Sequence, residues 1–180
     1  MLRWLVLYTA LGIGANAAYA GEIDWGAAHL GGLSKLTQTE PAPVPATPFT
    51  DPQGGTHSLA DYKGKLVYVD FWASWCKPCL QSFPWMNEMQ ERYGAKGFQV
   101  IGVNVDAKSD DARRFLAETP AKFVVAFDAK GEAPKSYAIK GMPTSFLVGP
   151  DGKVLLQHAG FRDSDREALE AKIRQSLGGK

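Results

Sequence analysis

The 180-residue chain has two cysteines, Cys76 and Cys79, separated by two residues. Sulfur at this spacing supports few chemistries. Haem attachment would need a histidine next, and Leu80 stands there. A structural zinc site needs further ligands. No third cysteine exists, and His29, His57 and His158 are scattered along the chain. A two-thiolate copper(I) site stays open, because soft ligands suit that ion. A disulfide closing so small a loop restrains little of the unfolded chain. The pair therefore reads as chemical rather than structural, and reversible disulfide exchange is the leading chemistry.

The local sequence Trp75-Cys76-Lys77-Pro78-Cys79 sits between an apolar run and a helical pattern. The reactive form of cysteine is the thiolate, and a free thiol has a pKa of about 8.5. A helix N-terminus carries partial positive charge and favours the anion. Cys76 falls where that terminus should be. Lys77 adds a solvated positive charge. Pro78 suits a first turn, where its missing N–H costs nothing. Cys76 is thus read as the attacking thiol, and Cys79, one turn deeper, as the resolving one.

Two features could assist. Asp70 lies in an apolar strand six residues before Cys76. Burial without a partner raises a carboxyl pKa, and a protonatable acid behind the cysteines would serve as proton relay for Cys79. The alternative is a polar pocket or a lysine partner. Met142-Pro143 precedes another core strand; a cis bond there would leave the Met142 backbone free to pair with a peptide. On the residues alone, an X-Pro bond is ordinarily trans.

Elements to hold these groups are legible from Lys65 onward. Residues 66–73 form an apolar, β-branched run typical of a strand buried on both faces. Leu80 to Arg92 shows helical periodicity, ended by Gly94 and Gly97. Strands are predicted over 98–105, 123–127, 144–148 and 153–158. Helices are predicted over 109–118, with Ser109 as cap, 132–139, and from a cap at Asp163 or Ser164 to about Leu177. Pro150-Asp151-Gly152 marks a hairpin turn. Phe49 to Thr56 suggests a hairpin-like entry, and Ser58 to Tyr62 one helical turn. The order implies an α/β fold with a mixed sheet.

The N-terminus differs from the rest. Arg3 precedes an apolar run from Trp4 to about Ile13, and Ala18-Tyr19-Ala20 supplies small residues for cleavage. Residues 1–20 read as a signal peptide cleaved after Ala20, and hence as export to the periplasm. The alternative is an uncleaved membrane anchor, for which the run is short. Residues 21–48 read as a linker rich in Gly and Pro, parts of which pack on the domain through apolar residues such as Trp25, Leu30, Leu33 and Leu36. The domain proper is placed at 49–180. With Arg3 removed, 19 basic and 19 acidic residues remain, so nothing favours nucleic acid. No cofactor and no metal site is expected.

Together, Gly64 through Cys79, Phe83-Pro84 and Gly141 through Val154 resemble the thioredoxin superfamily, and within it the exported TlpA/ResA-type thiol–disulfide oxidoreductases. The resemblance implies a thioredoxin fold, a cis bond before Pro143, and Cys76 as nucleophile. Trp75, Lys77, Pro78 and Met142 would tune the redox pair or contact substrate. It implies reduction of client disulfides, with electrons from a membrane thiol carrier. Clients of such proteins include apocytochrome c and copper-site assembly proteins. Many members carry a glutamate where this chain has Ser82. That departure leaves a cytochrome c branch unassigned, and Asp70 matches the buried acid of ordinary thioredoxins instead. A disulfide oxidase or isomerase, and a copper(I)-delivery module, are the alternative readings.

Overall fold

The protein is described by a computed structural model covering residues 48–51 and 54–178, with the backbone of Leu36–Thr37. Residues 1–20, read as a leader, lie outside the described residues, as does most of the linker. No described helix is long and apolar enough to cross a membrane.

Among the described residues, eight strands and four α-helices follow in order. Strand β1 is Leu36–Thr37, β2 Phe49–Thr50 and β3 Thr56–His57; a 3-10 turn spans Leu59–Tyr62. Strand β4 (Leu66–Trp72) leads into helix α1 (Lys77–Tyr93), β5 (Phe98–Asn104) into α2 (Ser109–Glu118), and β6 (Val124–Phe127) into α3 (Glu132–Ser136). The hairpin β7 (Thr144–Val148) and β8 (Val154–Ala159) precedes α4 (Arg166–Ser176). They form one sheet in the order β1-β8-β7-β4-β5-β6-β2-β3. Strands β4, β5 and β6 are parallel, and the remaining pairings are antiparallel. The expected mixed α/β sheet is present.

Strand β4 sits centrally, and all seven of its residues are buried. Its alternation divides the core. Leu66, Tyr68 and Trp72 pack with Phe83, Met86 and Met89 of α1, Phe115 of α2, and Leu169 and Ile173 of α4. Val67, Val69 and Phe71 pack on the other face with Ile101, Phe146 and Tyr137. The two faces bury the apolar surface that drives folding.

Several boundaries differ from the sequence reading. Part of the expected linker enters the sheet, since Leu36–Thr37 pairs with Gln157 and His158 at the β8 edge. Helix α1 begins at Lys77, three residues before its apolar periodicity starts, because Cys76 is extended and caps it while Pro78 fills the first turn. Ser109 is the first helical residue of α2, after Lys108 at the cap position. Helix α3 ends at Ser136, followed by Ala138 at φ 50°. A 3-10 turn, Asp163–Asp165, precedes α4.

The β7–β8 turn closes as expected, with Gly149 N donating to Lys153 O at 2.8 Å and Gly152 at φ 79°. Gly102 of β5 has a different reason to be glycine. A Cβ there would lie 2.9 Å from Phe123 and 3.1 Å from Trp72 Nε1. Gly102→Ala is therefore expected to destabilise the fold by about 1–3 kcal/mol, the cost of overpacking a filled core. Urea unfolding of the two proteins measures this, and equal midpoints would contradict the packing argument.

Candidate active site

The site begins where β4 leaves the sheet. Trp72 ends the strand, and the chain turns through Ala73, Ser74 and Trp75 into α1. The turn is pinned by Asp106, a buried acid just beyond β5. Ser74 N donates to Asp106 Oδ2 at 2.9 Å, and Ser74 Oγ to Oδ1 at 3.1 Å. Asn104 Nδ2 donates to the same carboxylate at 2.8 Å, and Asn104 Oδ1 accepts from Asp106 N at 3.1 Å. Trp72 O accepts from Val105 N at 3.0 Å. Sequence reading missed this clamp, because its partners are 32 residues apart and neither has a motif.

Cys76 is the N-cap of α1, at φ −88° and ψ 95°, and makes no side-chain capping hydrogen bond. It stands at the positive end of the helix dipole; Cys79 N donates to Cys76 O at 3.0 Å and Pro78 has no N–H, so fewer donors are open there than at an ordinary helix end. The first turn contains no acidic residue, so no side-chain carboxylate there offsets the dipole. Lys77 and Pro78 are exposed. Cys76 and Cys79 are joined as a disulfide, with their Cα atoms 5.4 Å apart. Their exposure is unequal: 4% for Cys76 and 0% for Cys79. An incoming sulfur therefore meets Cys76. Beside this pair Trp75 is 69% exposed and Leu80 49%, large apolar side chains that the fold leaves facing solvent.

The Met142–Pro143 peptide bond is cis. Thr144 Oγ1 donates to Gly141 O at 2.6 Å, and Gly160 N donates to Pro143 O at 2.8 Å, fixing the loop to β7 and to the chain after β8. Met142 packs against the same apolar cluster that contains both cysteines. Strand β7 pairs antiparallel with β4, with Thr144 opposite Phe71. The proline loop thus reaches the end of the sheet where β4 gives way to the cysteines.

Asp70 is buried on the α1-facing side of β4, between Tyr68 and Trp72 in that layer. Its Oδ2 has no hydrogen-bond partner among the described residues, and neither has Trp72 Nε1. Desolvation holds its carboxyl well above the usual carboxylate range. Among the described residues no lysine pairs with it, and it lies buried in the layer whose apolar cluster contains both cysteines. Ser82, at the position where the resemblance would place a glutamate, is buried and donates to Cys79 O at 3.1 Å.

The folded-state proton affinity of Asp70 exceeds the unfolded one, for which 3.8 is the reference. Native protein then binds more protons than unfolded protein at intermediate pH, so stability falls as pH rises through the native pKa. Asp70→Asn should be more stable than the parent at neutral pH. Every tenfold gain in proton affinity on folding corresponds to about 1.4 kcal/mol of that difference. The gap should close below about pH 4, near the unfolded value. Urea titrations at both pH values test the sign, and a parent stabilised by raising the pH would refute it.

The comparisons agree with this geometry. The protein-family model described as Redoxin matches residues 39–173. A thiol-disulfide oxidoreductase ResA of Bacillus thuringiensis subsp. konkukian is 38% identical over 126 residues, covering 70% of this chain and 72% of the relative. ResA of Bacillus subtilis is 31% identical over 152 residues, covering 84% and 78%. Among solved structures, a thiol:disulfide interchange protein DsbE from Chlorobium tepidum is 56% identical with a TM-score of 0.76, covering 79% of this chain and 100% of that one.

Proposed function

The chain belongs to the Redoxin family and to the ResA/TlpA-type thiol–disulfide oxidoreductases of the thioredoxin superfamily, and from that premise we propose that it reduces disulfides of client proteins in the periplasm. Thiol–disulfide exchange is the activity of such enzymes; direction, clients and compartment are the proposal. The observation that carries it is the unequal exposure of two disulfide-linked cysteines at a helix N-terminus, beside exposed Trp75.

The steps follow from that geometry. The thiolate of Cys76 attacks one client sulfur. A mixed disulfide forms, and the other client sulfur leaves as thiolate. Asp70 takes the proton of Cys79. The Cys79 thiolate then attacks Cys76 sulfur, the client's second thiolate departs, and the Cys76–Cys79 disulfide forms. Two electrons have passed to the client. A membrane thiol carrier returns them. Trp75, Leu80 and the Met142 backbone receive the client chain, and Lys77 and Pro78 tune the helix end. Export rests on the apolar leader ending at Ala20. Apocytochrome c and copper-site assembly proteins are the client classes proposed.

Cys79→Ser expressed with its leader should retain clients on Cys76 as mixed disulfides that dithiothreitol releases, and the mature N-terminus should be Gly21. In parallel, purified protein should speed insulin reduction by dithiothreitol, and Cys76→Ser should fall to the uncatalysed rate. Stoichiometric copper(I) binding without insulin reduction would instead establish the delivery module. Net disulfide formation in reduced clients would establish an oxidase.

A further inference from the structure

The sheet extends the surroundings of Asp70 sideways. Asp70 of β4 lies opposite Ser145 of β7, and Ser145 lies opposite His158 of β8. Opposed residues of an antiparallel ladder project from the same face. An acid, a hydroxyl and an imidazole therefore form one row across three strands, in the layer that also holds Leu147 and Leu156. Each member is 2% exposed. The Tyr68 hydroxyl donates to Ser145 Oγ at 2.7 Å. At the far end, His158 Nε2 lies 3.3 Å from Asp165 Oδ2, and the Asp165 side chain is 14% exposed. The charges of Asp70 and Asp165 both act on Tyr68, and with burial they push its phenol up. The row therefore runs from Asp70 through Ser145 to His158, with Asp165 at its far end.

Burying polar groups is costly unless they are mutually satisfied, and a core needs none of them. We propose that His158 is a positioning residue for the exchange reaction: held by Asp165 at the end of the row that Asp70 begins, it sets the charge two strands from that carboxyl. The proposal rests on Asp70 as the proton acceptor of Cys79. Other groups around Asp70 do not duplicate this effect. Gly102, its partner on β5, carries no charge. On α4, Arg166 is paired with Asp163 at 3.0 Å, and Glu170 is held by Arg92 and Tyr93.

The test reads the Asp70 carboxyl directly, by carbon-13 NMR titration of the oxidised protein, in which no thiol titrates. His158→Gln leaves Asp165 unbalanced and should raise the Asp70 midpoint by about 0.5–1 pH unit. Asp165→Asn removes the negative charge and should lower it. The pH profile of insulin reduction should move in the same directions. An unmoved midpoint in folded His158→Gln overturns the proposal alone. Midpoints that shift while the rate profile stays in place overturn Asp70 as proton acceptor, and the proposal with it. If His158→Gln does not fold, Asp165→Asn decides: a lowered midpoint supports the coupling and an unchanged one refutes it.

Discussion

The meeting of a sulfur atom with the open end of helix α1 is the interaction on which the rest depends. That end carries the positive pole of the helix dipole, and no carboxylate occupies the first turn to compensate it. Cys76 is the residue at the cap. Its thiolate gains from the dipole in the free protein. The rest of the fold keeps this helix end in place. Asp106 clamps the approach through Ser74, and Trp72 anchors it through contacts with Phe83 and Phe115 at 4.9 and 4.8 Å.

Strand β4 is the second constraint. A strand buried on both faces in the middle of a sheet supplies rigidity, and it normally excludes charge. Here it carries Asp70. The carboxyl is unfavourable for stability when ionised, and its desolvation raises its proton affinity. Tyr68, Ser145 and His158 extend the polar character of this layer across β7 and β8.

The antiparallel half also brings Pro143 to the site. The loop precedes β7, and β7 pairs with β4 at Thr144 opposite Phe71. Exposed Trp75 and Leu80 flank the same opening.

Much of this was legible in the chain itself. The Cys-x-x-Cys spacing, the apolar run before it and the helical periodicity after it are local patterns, and local geometry determines them. The helix end was readable because Pro78 is informative at a first turn, even though apolar periodicity begins only at Leu80. Asp70 was recognisable as an anomaly, a charge within a strand that should be wholly buried. Other features came only from tertiary structure. Asp106 reaches Ser74 across 32 residues, and His158 reaches the layer of Asp70 through two strand registers. The entry of Leu36–Thr37 into the sheet required a free edge on β8. Such pairings depend on which surfaces remain open after the core has packed, a property of the assembled sheet that no single stretch of residues encodes.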